Sequence, residues 1–179
     1  MNIYIRQESV DDYQAVFDLI EQAFKYEEHS NHQEQFLVEK LRQSPEFIPE
    51  LSLIAEVNNK PIGYILLTKI KIHNEEKKED YPSLALAPIA VLPEFQGKGV
   101  GGRLIEEAHK IAAQLDFGSI ILLGHASYYP RFGYVTMAEY GISMPFDVPD
   151  ENCMLIELRE KALAGLQGTV VYPEEFGIF

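Results

Sequence analysis

Four glycines crowd into the segment Gly97-Lys98-Gly99-Val100-Gly101-Gly102, and an amphipathic helical pattern begins directly behind them. Each glycine held in a helix costs about 1 kcal/mol against alanine. Such a segment makes sense where bare backbone is needed, in a left-handed turn or under a close approach. The pattern behind it puts Leu104, Ile105, Ala108, Ile111, Ala112 and Leu115 on one face. Arg103, Glu106, Glu107 and Lys110 fall on the other side. Ahead of the glycines, residues 84–92 are almost wholly apolar, which predicts a strand buried on both faces and central in its sheet. Pro88 interrupts that run and cannot donate a ladder bond, so it predicts a bulge or a break in pairing.

Residues 97–102 match G-x-G-x-x-G literally, the pattern of a dinucleotide-binding turn. In that turn the first glycine follows its strand at once, whereas here Pro93-Glu94-Phe95-Gln96 intervenes. A carboxylate about 20 residues on should hold a ribose, and residues 120–125 contain none. A nucleotide P-loop needs Gly-Lys-Ser or Gly-Lys-Thr, and neither occurs. A plain strand-to-helix turn accounts for one glycine more readily than for four. The third reading is an anion cradle. Successive N–H groups at a helix N-terminus point outward, and the helix dipole favours negative charge there. Gln96 and Lys98 add donors to it.

The rest of the chain reads as mixed α/β without internal repeats. Residues 2–8 alternate as a strand, and Ser9 with Asp12 marks a helix start. Apolar residues from Val10 to Phe24 then recur at helical spacing. A second helix carries Phe36, Leu37 and Leu41 and stops before Pro45. Residues 51–57 and 62–72 form a hairpin, and the charged run 73–80 reads as a solvated loop. Strands are expected at 120–123, 134–144, 154–158 and 169–172, with a short helix at 160–165.

The length of 179 residues suits a single domain, and the hydrophobic fraction of 46% is that of a globular chain. The N-terminus shows no secretion signal, and no apolar run approaches the length of a membrane span. The single cysteine, Cys153, makes no internal disulfide and fits a reducing, cytoplasmic setting. It lies in the apolar run Cys-Met-Leu-Ile, where a buried core residue is expected. The net charge of −13 argues against nucleic-acid binding and is compatible with a cationic substrate such as an amine. No His, Cys and carboxylate cluster has metal-ligand spacing, so no metal is expected.

The stretch "AVLPEFQGKGVGGRLIEEA", with Gln96-x-x-Gly99-x-Gly101 at its heart, resembles the acetyl-coenzyme A loop of the GNAT superfamily of N-acetyltransferases. The later "YYPRFGY" fits as well, and the tail from residue 148 is similar to a bacterial acetyltransferase subgroup, so the resemblance covers nearly the whole chain. It implies a mixed, mainly antiparallel sheet whose central strands splay at a bulge and admit a pantetheine arm. Backbone groups of Ile89, Ala90 and Val91 would bind the pantetheine amides, and Gln96, Gly97, Lys98, Gly99, Val100, Gly101 and Gly102 the pyrophosphate. Tyr129, four residues before Gly133, would stand at the thioester sulfur as general acid, with Tyr128 as the neighbouring alternative. The oxyanion donor would be a backbone N–H near Ile89 or Ala90.

The implied reaction moves an acetyl group to a primary amine, carried by a small molecule or a peptide. The resemblance implies no membrane partner and leaves a homodimer open. Many relatives carry a glutamate in the central strand, and residues 83–91 have no carboxylate. That keeps a non-catalytic acyl-coenzyme A-binding module as the alternative. Glu27, Glu28, His29, His32 and His125 read as solvated or structural residues rather than as the general base.

Overall fold

The computed structural model describes residues 1–178. The chain forms two compact units, Met1–Thr68 with Ala87–Ile111, and Lys69–Leu86 with the chain from Ala112 on. Strands β3 (Lys60–Asn74) and β4 (Glu79–Val91) are hydrogen-bonded neighbours that contribute to both units.

In the first unit, β1 (Tyr4–Gln7) pairs antiparallel with β2 (Ser52–Val57), and β2 pairs antiparallel with β3. Helix α1 (Tyr13–Phe24) follows a 3-10 turn at Val10–Asp12, where the Ser9 N–H donates to Asp12 Oδ2 at 2.8 Å. Val10, expected on the helix face, is 74% exposed in that turn. Helix α2 (Glu34–Leu41) buries Val38 and Leu41. It is tied to the strands by a buried polar network. Arg42 Nε donates to Glu8 Oε2 at 3.2 Å while Nη2 pairs with Oε1. The Ser52 hydroxyl donates to Glu8 at 2.7 Å and lies 2.8 Å from the Tyr64 hydroxyl. The Arg42 guanidinium also stacks 4.0 Å from the Tyr13 ring centroid. Helix α3 (Val100–Gln114) buries Leu104, Ile105, Ala108 and Ala112 and exposes Arg103, Glu106 and Lys110, the amphipathic split its sequence predicts except at Leu115, which lies past the helix end and is 39% exposed.

In the second unit, β4 pairs parallel with β5 (Ser119–Leu123) at Leu84–Ile120 and Ala85–Ile121. Strand β5 pairs antiparallel with β8 (Cys153–Glu157), which also takes the short β6 (Val135–Thr136). Strand β9 (Gln167–Val171) pairs antiparallel with β3 and parallel with β7 (Gly141–Ser143). Ile72, Ile121, Leu155 and Val170 lie at the centre of this unit's core, each fully buried. Cys153 is part of the same core, 6% exposed.

Three sequence expectations are corrected here. The charged run 73–80 is a turn only at residues 75–78, while 73–74 and 79–80 extend β3 and β4, and charges pair across the hairpin: Lys71 Nζ to Asp80 at 2.6 Å and His73 Nδ1 to Asp80 at 2.6 Å. Residues 134–144 are not one strand, since a 3-10 turn at Met137–Glu139 buries Met137 and sends β6 and β7 to different partners. Residues 160–165 form turns rather than a helix, with Lys161 and Gly165 both left-handed (φ 59° and 70°). There the Leu163 N–H donates to Glu157 Oε2 at 3.0 Å instead of to a helical carbonyl.

Candidate active site

The cradle is built where β4 hands over to α3. Strand β4 runs on from its pairs at Leu84 and Ala85 to Val91, and the Ala87–Pro88 peptide bond in this extension is cis. The Leu92 N–H closes the strand end on Ile62 O at 3.0 Å, and a 3-10 turn at Pro93–Phe95 follows. Gly97 and Gly99 then take φ of +70° and +80°, a region costly to any residue with a Cβ. Nothing lies within 4 Å of where a Cβ would stand at either glycine. The glycines serve the backbone's shape and leave open space above it.

The helical ladder starts with the Arg103 N–H donating to Gly99 O at 3.1 Å. The amides of Val100, Gly101 and Gly102 precede that first bond, at the positive end of a helix of 15 residues. Gln96 is used differently from the expectation. Its side-chain N–H donates to Val91 O at 3.1 Å, so it ties the loop back onto the strand. Lys98 is exposed, with its ammonium 5.5 Å from the Phe95 ring centroid.

The first turn of α3 can sit at this spot because of Gly63, which sequence reasoning missed. A Cβ on Gly63 would stand 2.8 Å from Val100 Cγ1, 3.1 Å from Leu104 Cδ1 and 3.3 Å from Ala90 O. An isolated glycine within a strand pattern is the available signal for such a close approach. Ile89, Ala90, Val91 and residues 96–102 therefore all belong to the first unit, around one strand end and one helix start.

Tyr129 belongs to the second unit, in a 3-10 turn at Tyr129–Phe132 behind β5. Its ring is buried, edge-on to Tyr128 at 5.1 Å and to Tyr134 at 5.8 Å between centroids. Burial, and to a lesser degree Tyr128, pushes its phenol up to about 12. The hydroxyl makes no hydrogen bond among the described residues. Tyr128 is half-buried, and the Arg131 guanidinium is committed to it: Nε donates to Tyr128 O at 2.9 Å, and the guanidinium carbon lies 4.6 Å from its ring centroid.

Gly124 seats the Tyr129 ring. A Cβ there would fall 2.2 Å from Tyr129 Cε2. Asn152 fixes Gly124 from both sides, its carbonyl accepting the Gly124 N–H and its Nδ2 donating to Gly124 O, each at 3.0 Å. Neither residue was singled out by sequence, since 28 positions separate them. Glu27, Glu28, His29, His32 and His125 are all exposed, and His32 Nδ1 lies 3.0 Å from Phe24 O.

A mixed, mostly antiparallel sheet whose strand β4 leads through a glycine-opened turn into helix α3 is the arrangement that the GNAT resemblance implies. The comparisons with known proteins agree. Residues 13–134 match the model of the Acetyltransferase (GNAT) family, and the chain belongs to that family. It is 38% identical over 147 residues to the uncharacterized N-acetyltransferase YjhQ of Escherichia coli, covering 79% of this chain and 80% of that one. Its fold is similar to the crystal structure of the GNAT family N-acetyltransferase YhbS from Escherichia coli in complex with CoA. That match has a TM-score of 0.88 at 24% identity and covers 100% of this chain and 94% of the other. A GNAT family acetyltransferase from Brucella melitensis, in complex with acetyl-CoA, matches with a TM-score of 0.80 at 27% identity over 98% of both chains.

Proposed function

We propose that the chain is an acetyl-coenzyme A-dependent N-acetyltransferase that moves the acetyl group directly from the thioester to a primary amine. The observation that carries this reading is the open left-handed turn at Gly97 and Gly99, set against the amides of Val100, Gly101 and Gly102. A pyrophosphate is the dianionic ligand such a turn and helix start accept. The crystal structures of the similar YhbS and Brucella proteins in complex with CoA and acetyl-CoA support the same ligand. Ile89, Ala90 and Val91 offer the strand end to the pantetheine arm. Gln96 acts by holding the loop, since its amide is bonded to Val91.

In the reaction the neutral amine nitrogen attacks the thioester carbonyl, forming the C–N bond. An N–H of Ile89 or Ala90 stabilises the oxyanion. Collapse breaks the C–S bond, and the nitrogen loses a proton while the thiolate gains one. A phenol near 12 remains protonated throughout the neutral range. Full transfer of its proton to a thiolate, whose acid lies near 8.5, is uphill by about 5 kcal/mol. Tyr129 therefore serves as a hydrogen-bond donor to the departing sulfur, and the proton balance runs through the amine and solvent.

The experiment is coenzyme A release over a panel of small amines and N-terminal peptides, with wild type and Tyr129→Phe. The variant should turn over at least tenfold more slowly with unchanged coenzyme affinity and an unshifted pH profile. Equal turnover in both proteins removes the role for Tyr129. Coenzyme binding with no amine accepted favours the non-catalytic binding module, a reading motivated by the lack of a carboxylate in residues 83–91.

A further inference from the structure

In the first unit a cleft of about 400 Å³ opens between β1 and the outer face of α3. On the strand side it is lined by Ile3, which is buried, Ile5, which is half-buried, and Tyr4, which is 63% exposed. Arg103, Glu106, Glu107 and Lys110 line the helix side. Strand β1 ends the sheet: it pairs with β2, and no strand among the described residues pairs with its other edge. An open edge beside an exposed aromatic ring is a surface that folded chains cover or put to use.

The chain carries 28 acidic residues against 15 lysines and arginines, so two copies repel on average. The cleft is locally neutral, with two cations and two carboxylates. Lys110 Nζ and Glu107 Oε2 pair with each other at 2.8 Å. Arg103 and Glu106 stand one turn apart on the exposed face, at a spacing where a helical ion pair can form. Neither has an ion-pair partner among the described residues. An unpaired cation beside an unpaired carboxylate is complementary to the same two groups turned by half a rotation. A two-fold axis passing between them sets Arg103 of each copy against Glu106 of the other, which is the reciprocity an isologous contact requires. We infer that this cleft is where the chain pairs with a second copy of itself, the two α3 helices lying antiparallel. Two reciprocal Arg103–Glu106 ion pairs fix the register, and Tyr4 of each copy is the aromatic anchor in the facing cleft. This pairing needs neither coenzyme nor turnover, so it is independent of the acetyl-transfer reading.

The test is analytical ultracentrifugation of the full chain across a dilution series, in low and in high salt. Wild type should pass from monomer to dimer as concentration rises, and salt should weaken the dimer. Arg103→Glu and Glu106→Arg each set like charges across the axis, and each should weaken pairing by about tenfold or more. Mixed in equal amounts, the two variants should form a heterodimer, because one carries two carboxylates where the other carries two cations. The double variant Arg103→Glu/Glu106→Arg should pair as wild type does. Tyr4→Ala should weaken the dimer and leave its salt dependence in place. All three side chains are exposed, so the circular dichroism of every variant should match wild type. A wild type that stays monomeric up to millimolar chain, leaving the cleft to another occupant, would overturn the inference. So would a dimer that both single variants leave intact, or single variants that stay apart when mixed.

Discussion

Replacing Gly124 by alanine perturbs the seat of Tyr129 without touching the tyrosine. The new Cβ would lie 2.2 Å from Cε2, 2.8 Å from Cδ2 and 3.1 Å from Cζ of the ring. Carbon atoms in contact sit about 3.5–4.0 Å apart, so the ring and the backbone must separate by more than about 1 Å. Neither side gives easily. Gly124 is clamped at both its N–H and its carbonyl by Asn152, and Tyr129 is buried between two other tyrosine rings. Overpacking of this kind costs about 1–3 kcal/mol. For a chain of this length each kcal/mol lowers Tm by about 2–4 °C, so the melting point should fall by about 2–12 °C. Differential scanning calorimetry measures it, and the coenzyme A release assay on the same sample should show a loss of turnover comparable to that of Tyr129→Phe. A Tm within about 1 °C of wild type, together with full turnover, would refute the claim that Gly124 positions the ring.

Arg42→Met leaves the Glu8 carboxylate, 1% exposed, without its cation. Removing one partner of a buried pair costs about 3–5 kcal/mol, which urea unfolding should register, and Glu8→Gln in the same chain should recover part of it. A loss below about 1 kcal/mol would mean the pair behaves as a surface salt bridge. His73 is half-buried by area, and its pKa is raised above 6.5 by its hydrogen bond to Asp80 and then by that to Glu75. A raised folded pKa makes its contribution fully present below 6.5 and lost as pH rises through the raised value. NMR titration should find His73 above its ordinary value and Asp80→Asn should bring it down; an unchanged value in the variant would contradict the hydrogen-bond origin.

The helix behind the glycines was legible because its period and its glycine entrance agree, and α3 begins at Val100 within that segment. Strand β5 was equally plain, an apolar run ended by a glycine. What the sequence conceals is mostly long-range. Glu8 and Arg42 lie 34 residues apart, and only packing brings them together. Gly63 reads as an ordinary strand residue until the first turn of α3 is laid upon it. The turns at 160–165 misled because alanine and leucine carry helical propensity, while the left-handed residues Lys161 and Gly165 and the carboxylate of Glu157 direct the backbone otherwise. Gln96 was correctly placed in the loop but cast only as a ligand donor, since its bond to Val91 depends on how the loop turns back.

The glycine turn as a coenzyme cradle is most directly tested by isothermal titration of the full chain with acetyl-coenzyme A, alongside Gly99→Ala. At φ +80°, an added Cβ costs the left-handed conformation about 1–2 kcal/mol, which corresponds to about a 5- to 30-fold weakening if the turn must hold its shape to bind. The wild type should bind one coenzyme per chain saturably, and the variant should bind correspondingly more weakly. No heat of binding from wild type at millimolar coenzyme, or equal affinity in the two proteins, would contradict the assignment of this turn.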